Sequence, residues 1–119
     1  MNSLLFKKRA AFARLSVKLI DEAHRRGYQV IWGEIYRPPE MALIYAKRGT
    51  GIRNSLHTLS LACDLTLYLN CKLLAKTSDY EGLGLFWQSL SSPEFTCIWG
   101  GKFKRPDAFH FSIEHNGVK

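Results

Sequence analysis

Two polar clusters stand out from the apolar segments around them: Ser55-Leu56-His57 running on to Asp64, and Asp107-Ala108-Phe109-His110. Together they supply two imidazoles and two carboxylates, the makings of a catalytic zinc site. Such a site takes three nitrogen or oxygen ligands, keeps one position open for water, and places a carboxylate nearby to receive the water's proton. His57, Asp64 and His110 could be the ligands and Asp107 the base. A lone His or Asp is more often solvated or satisfied than bound to metal, so the weight rests on their joint order.

The spacing constrains the elements that must carry these residues. His57 and Asp64 are an odd number of positions apart, so on one straight strand they would point to opposite faces. The chain therefore has to bend, and Leu59-Ser60 is the expected corner, with Asp64 inside a strand from Leu61 to Leu69. Asp107 and His110 follow Pro106 closely enough for one turn to bring both to the mouth of a cleft. From His110 onward, alternation sets Phe111 and Ile113 on one face and His110, Ser112 and Glu114 on the other. The first face should meet the core.

These residues resemble a known family. Ser55-x-His57-x-x-Ser60-x-Ala62-x-Asp64 is similar to the SxHxxGxAxD motif of zinc-dependent peptidoglycan peptidases, the VanY-type D,D-carboxypeptidases and the phage L-alanyl-D-glutamate endopeptidases. Trp99-Gly100-Gly101-Lys102-Phe103, followed by Pro106-Asp107-x-x-His110-Phe111, resembles the ending of the phage endolysin branch. The resemblance implies zinc ligands at His57, Asp64 and His110 and a catalytic base at Asp107. Upstream, Tyr36-Arg37-Pro38-Pro39-Glu40 is similar to a segment whose arginine holds substrate, which implies that role for Arg37. Ser60 stands where glycine is usual and Met41 where glutamine often follows. If the corner needs a positive φ, Ser60 has to adopt it.

A chain of 119 residues makes one domain, residues 1–119, large enough to bury a core without staples. No run of about eighteen apolar residues suggests a membrane span. At Met1-Asn2-Ser3-Leu4-Leu5-Phe6-Lys7-Lys8-Arg9 the apolar residues precede the charges, the reverse of a secretory signal. The expectation is synthesis in the cytoplasm and holin-type release to the wall at lysis, from a phage or prophage gene. Cys63, Cys71 and Cys97 have no CxxC spacing and an odd count, which argues against a disulfide framework. Cys63 and Cys97 read as buried apolar groups and Cys71 as a turn residue.

The net charge of +7 favours a polyanionic partner, whether nucleic acid or the anionic polymers of a wall. Much of it lies on the first helix, whose Leu5, Phe12, Leu15, Leu19 and Ala23 form one stripe ending at Gly27. That helix could lie on an anionic membrane, but a stripe packed on its own core is preferred. His24 reads as structural or exposed.

Tyr28 to Trp32 reads as a strand. Pro38-Pro39-Glu40 opens a short helix through about Lys47, closed by Gly49. Thr50 to Leu56 is a polar loop in which Arg53, Asn54 and Ser55 could meet substrate, although Ser55 could equally be a turn residue. Asn70-Cys71 is a tight turn into Lys72-Leu73-Leu74. Ser78-Asp79-Tyr80-Glu81 resembles a capping box opening a helix to about Leu90, with Phe86, Trp87 and Leu90 read as core. Phe95 to Trp99 and Phe109 to Ile113 supply two more strands, with Gly100-Gly101 leaving space near the site.

The fold expected is α+β, a small antiparallel sheet carrying the zinc site with helices packed mainly on one face. The expected function is hydrolysis of the peptidoglycan stem peptide at the L-alanyl-D-glutamate bond, with the D-Ala-D-Ala bond as the alternative. The expected molecule is a monomer using Arg37 and Ser55 to orient a substrate carboxylate. Rivals are a non-catalytic wall-binding domain and a basic nucleic-acid-binding module. The latter lacks any helix-turn-helix or zinc-finger spacing, and nucleic acid is not the partner expected.

Overall fold

Alternation along the strand Ala62–Leu69, called β2, organises the molecule. Its residues Cys63, Leu65 and Leu67 are fully buried, whereas Asp64, Thr66 and Tyr68 between them keep some exposure. One face of the strand therefore belongs to the core and the other carries polar groups. The computed structural model describes residues 3–49 and 55–119.

Five strands form the sheet: β1 (Gln29–Trp32), β2, β3 (Lys72–Leu73), β4 (Cys97–Trp99) and β5 (His110–Ile113). Their order is β1-β2-β5-β4, with β3 paired to the end of β2, and the pairings are antiparallel. Cys63 lies opposite Phe111 and Asp64 opposite His110. The register that joins two core residues thus also joins two polar ones.

Helices α1 (Ser3–Arg25) and α3 (Thr77–Ser89) cover the core face. Phe12, Leu15, Leu19 and Ala23 from α1 meet Tyr80, Leu83 and Trp87 from α3 over Leu65, Phe111 and Ile113. The aromatic residues here find partners for their polar ends. Trp87 Nε1 donates to the Ser112 carbonyl at 3.0 Å, and Tyr80 OH donates to the Leu74 carbonyl at 2.8 Å while accepting from Leu67 N–H at 2.9 Å. Gly84 lets α3 lie on β4, because a Cβ there would stand 2.1 Å from the Trp99 ring.

Local signals held in most places. Gly27 takes φ +91 after α1, and the bonds Gly27 N–H to His24 O and Tyr28 N–H to Ala23 O make a Schellman cap. Asn70 and Cys71 both have positive φ, as a two-residue hairpin requires. The short helix α2 spans Pro39–Lys47. The capping of α3 differs from expectation: the Asp79 carboxylate accepts from Lys76 N–H at 3.1 Å, so the box starts two residues earlier than Ser78-Glu81 would place it. Cys63 and Cys97 are buried thiols and Cys71 is exposed. His24 is exposed on α1. Among the described residues no helix is long and apolar enough to cross a membrane.

Candidate metal centre

The corner expected at Leu59-Ser60 is a 3-10 turn, Leu56–Leu59, followed by Ser60 at φ 58 and ψ 37. That left-handed conformation costs a non-glycine residue about 1 kcal/mol. It reverses the chain between His57 and Asp64 and brings both side chains to the same side of the sheet. Ser55 caps the turn, its hydroxyl accepting from His57 N–H at 3.2 Å. From the helix layer, Arg9 Nε donates to the Leu59 carbonyl at 2.8 Å and braces the turn.

His57, Asp64 and His110 converge so that one ligand atom from each lies within 4.8 Å of the others. His57 Nε2 is 3.4 Å from Asp64 Oδ1, and His110 Nδ1 is 4.0 Å from the same oxygen. Two donors on a tetrahedral zinc ion with ~2.0–2.1 Å bonds stand about 3.4 Å apart, so the spacing suits a divalent ion with little adjustment. The remaining atoms support the fit. Asp64 Oδ1 and His110 Nε2 are buried and have no hydrogen-bond partner among the described residues. Uncompensated burial of such groups costs about 1–3 kcal/mol each, a cost that a bound cation would relieve at the carboxylate. The group could hold a metal ion, and its two neutral-nitrogen donors with one carboxylate suit zinc.

The electrostatics separate the two imidazoles. Burial pulls His57 down, but the adjacent Asp64 carboxylate outweighs it and leaves the ring above its ordinary pKa. Burial and the neighbouring His57 push His110 down to about 4, which keeps it neutral, the form a ligand requires. The two rings meet edge to face with centroids 5.6 Å apart, and Phe103 closes the other side of His110 at 5.4 Å.

Asp107 sits in the turn leading to β5, where its N–H donates to the Gly100 carbonyl at 2.9 Å and its carbonyl accepts from His110 N–H at 3.2 Å. Gly100 is glycine because a Cβ there would lie 2.3 Å from the Asp107 carbonyl oxygen and 2.8 Å from His110 Cβ. The space expected at Gly100-Gly101 is thus a close approach of backbones. Asp107 is exposed as a residue. Its carboxyl is nonetheless raised above its ordinary pKa, by partial burial first and by the charge of Asp64 second.

The segment between β1 and α2 holds this centre from behind. Gly33 N–H donates to the Asp64 carbonyl and Asp64 N–H to the Glu34 carbonyl, both at 2.8 Å, and Arg37 N–H donates to the His57 carbonyl at 3.1 Å. His57 Nδ1 meets the Ile35 carbonyl at 3.1 Å, which directs Nε2 toward Asp64. Metal-binding histidines are commonly oriented by such an outer bond. Arg37 Nε donates to Glu34 at 2.7 Å, and its guanidinium lies 5.1 Å from the Tyr45 ring centroid. Glu34 Oε1 is 3.8 Å from His57 Nδ1. Glu34 and the Ile35 carbonyl escaped the sequence reading, since no spacing marks a backbone carbonyl as a ligand's anchor. Arg53 and Asn54 lie outside the described residues.

A solved structure shares this arrangement of chain. The fold is similar to that of a known endopeptidase. It matches the crystal structure of the Serratia marcescens L-Ala D-Glu endopeptidase ChiX with a TM-score of 0.67 over 82% of this chain and 77% of that one, at 19% identity. No family model and no curated protein sequence matches the chain.

Proposed function

We propose that this protein is a zinc-dependent peptidase of the peptidoglycan stem peptide that cleaves the L-alanyl-D-glutamate bond. The observation that carries the reading is the convergence of His57, Asp64 and His110 around two unpartnered buried atoms. The likeness of fold to an L-Ala D-Glu endopeptidase supports the choice of bond.

His57, Asp64 and His110 would hold the ion. Zinc bound there supplies Lewis acidity to the attacking water and the scissile carbonyl. Asp107 accepts the water's proton as the oxygen bonds to the carbonyl carbon, then returns it to the leaving amine as the C–N bond breaks. Its raised pKa suits both halves of that exchange, because a very weak base would take the proton poorly. Arg37 and Ser55 orient the substrate. The guanidinium has five N–H groups and Glu34 engages only part of the fork, so the remainder can hold a substrate carboxylate. Ser55 keeps a hydroxyl hydrogen beyond its bond to His57. The basic surface assists attachment to anionic wall polymers.

The test is mass spectrometry of purified peptidoglycan after digestion by wild type and by Asp107→Ala. Wild type should release peptides with a new N-terminal D-glutamyl residue, and the variant none. Release of D-alanine would move the reading to the D-Ala-D-Ala bond. No cleavage by a zinc-loaded wild type would overturn it.

A further inference from the structure

The polar face of β2 does not end at Asp64. Thr66 and Tyr68 follow it on the same side, because Leu65 and Leu67 between them are buried in the core. Across the strand pair, Gln29 lies opposite Tyr68 and Ile31 opposite Thr66. Thr66 Oγ1 donates to the Ile31 carbonyl at 3.0 Å and so closes the strand pair between the metal group and Tyr68. Beyond it Gln29, Ile31, Tyr68 and Cys71 line a hollow of about 360 Å³. The hollow is mostly apolar, with Ile31 on the edge strand β1 55% exposed. Its polar groups are uncharged. Gln29 Oε1 accepts from Cys71 N–H at 2.9 Å, which leaves the amide NH2 of Gln29 as a donor.

An aromatic ring, an exposed aliphatic side chain and a carboxamide form a surface suited to a sugar, whose C–H face packs on a ring while its hydroxyl and acetamido groups take hydrogen bonds. The distance also fits. Tyr68 is four residues along β2 from Asp64, or about 13 Å at ~3.3 Å per residue. In peptidoglycan the scissile L-alanyl carbonyl is joined to the muramic acid ring through one residue and a lactyl group. That linkage spans about two residues' reach, ~7 Å, and a sugar ring beyond it extends into the hollow.

Resting on the peptidase reading above, we propose that the hollow lined by Tyr68, Ile31 and Gln29 is a saccharide subsite that binds the amino-sugar glycan attached to the stem peptide. Tyr68 is a binding residue there, acting through its ring. The site is continuous with the metal group along one face of the sheet, so one polymer occupies both.

The experiment compares two substrates, the free stem tetrapeptide and the same peptide carrying its N-acetylglucosamine–N-acetylmuramic acid disaccharide. Wild type should show a lower KM for the disaccharide-linked form, an advantage of about 5- to 10-fold for one good aromatic contact. Tyr68→Ala should reduce that advantage to about one, and Tyr68→Phe should keep it. An equal KM for the two substrates in wild type, or an advantage that survives Tyr68→Ala, overturns the subsite. Titration of wild type with the free disaccharide, followed by NMR, separates this from the peptidase reading. Shifts confined to Gln29, Ile31 and Tyr68 uphold the subsite even if no peptide is cut, and shifts absent there refute it. A concentration-dependent dimer formed through the β1 edge and abolished by Ile31→Lys, without such shifts, would instead give the hollow to a second copy of the chain.

Discussion

The two faces of one sheet differ in kind although the same two strands build both. On the core side Cys63, Leu65, Leu67, Phe111 and Ile113 are fully enclosed, and the polar ends of Trp87 and Tyr80 are satisfied by backbone. On the other side Asp64 and His110 stand directly opposite each other with buried atoms left unpartnered. Because strand side chains alternate, one register sets both faces, and a slip that misaligned the core would also take the metal group apart. The packed core lies on one face and the unpartnered polar groups on the other, where a bound ligand would satisfy them.

The comparison can be broken first at the chemistry. Asp107→Ala should lower kcat by about 10²–10⁴-fold, with the thermal midpoint and bound metal unchanged; calorimetry beside the activity assay checks both. Next comes the core face, where Phe111→Ala should cost about 3–5 kcal/mol of stability in denaturant unfolding. Gly100→Ala tests the join between the faces. Its new Cβ collides with the Asp107 carbonyl, so the turn must shift, and about 10²-fold in kcat should be lost while stability falls less than in the core variant.

The pH dependence sharpens the assignment of the base. Asp107 must be ionised to accept a proton, and burial together with Asp64 raises its pKa. Activity is then full above the pKa of Asp107 and lost as pH falls through it, so the acid limb of kcat should vanish from the residual rate of Asp107→Ala. The smallest effect concerns Ser60. Its left-handed backbone predicts that Ser60→Gly stabilises the protein by about 1 kcal/mol at unchanged kcat; a destabilised variant would mean the Ser60 side chain contributes more than its backbone costs.

The bend between His57 and Asp64 could be read from the sequence because an odd spacing forbids one straight strand, and the two polar clusters marked the side chains that converge. The amphipathic stripe of α1 and the Asn70-Cys71 turn were equally legible, each resting on local chemistry. The clamp at Gly33, Glu34 and Ile35 was not. Most of its contacts end on the backbone of the segment just past β1, and no side-chain pattern records them. The shift of the α3 cap to Lys76 and Asp79 arises because a serine and an acid at box spacing also occur two residues in. Strand ends were overestimated at β4, where the expected start at Phe95 gives way to an isolated bridge between Ser92 and Phe95. The full burial of Ser112 on the polar face was likewise hidden, because alternation predicts direction and not the depth of cover.

The most direct test of this account is metal stoichiometry in wild type and in Asp64→Ala, measured by elemental analysis after dialysis against zinc and with folding verified by circular dichroism. One equivalent in wild type and none in a folded Asp64→Ala protein is the predicted result. A folded wild type that retains no zinc, or an Asp64→Ala protein that retains a full equivalent, would contradict it.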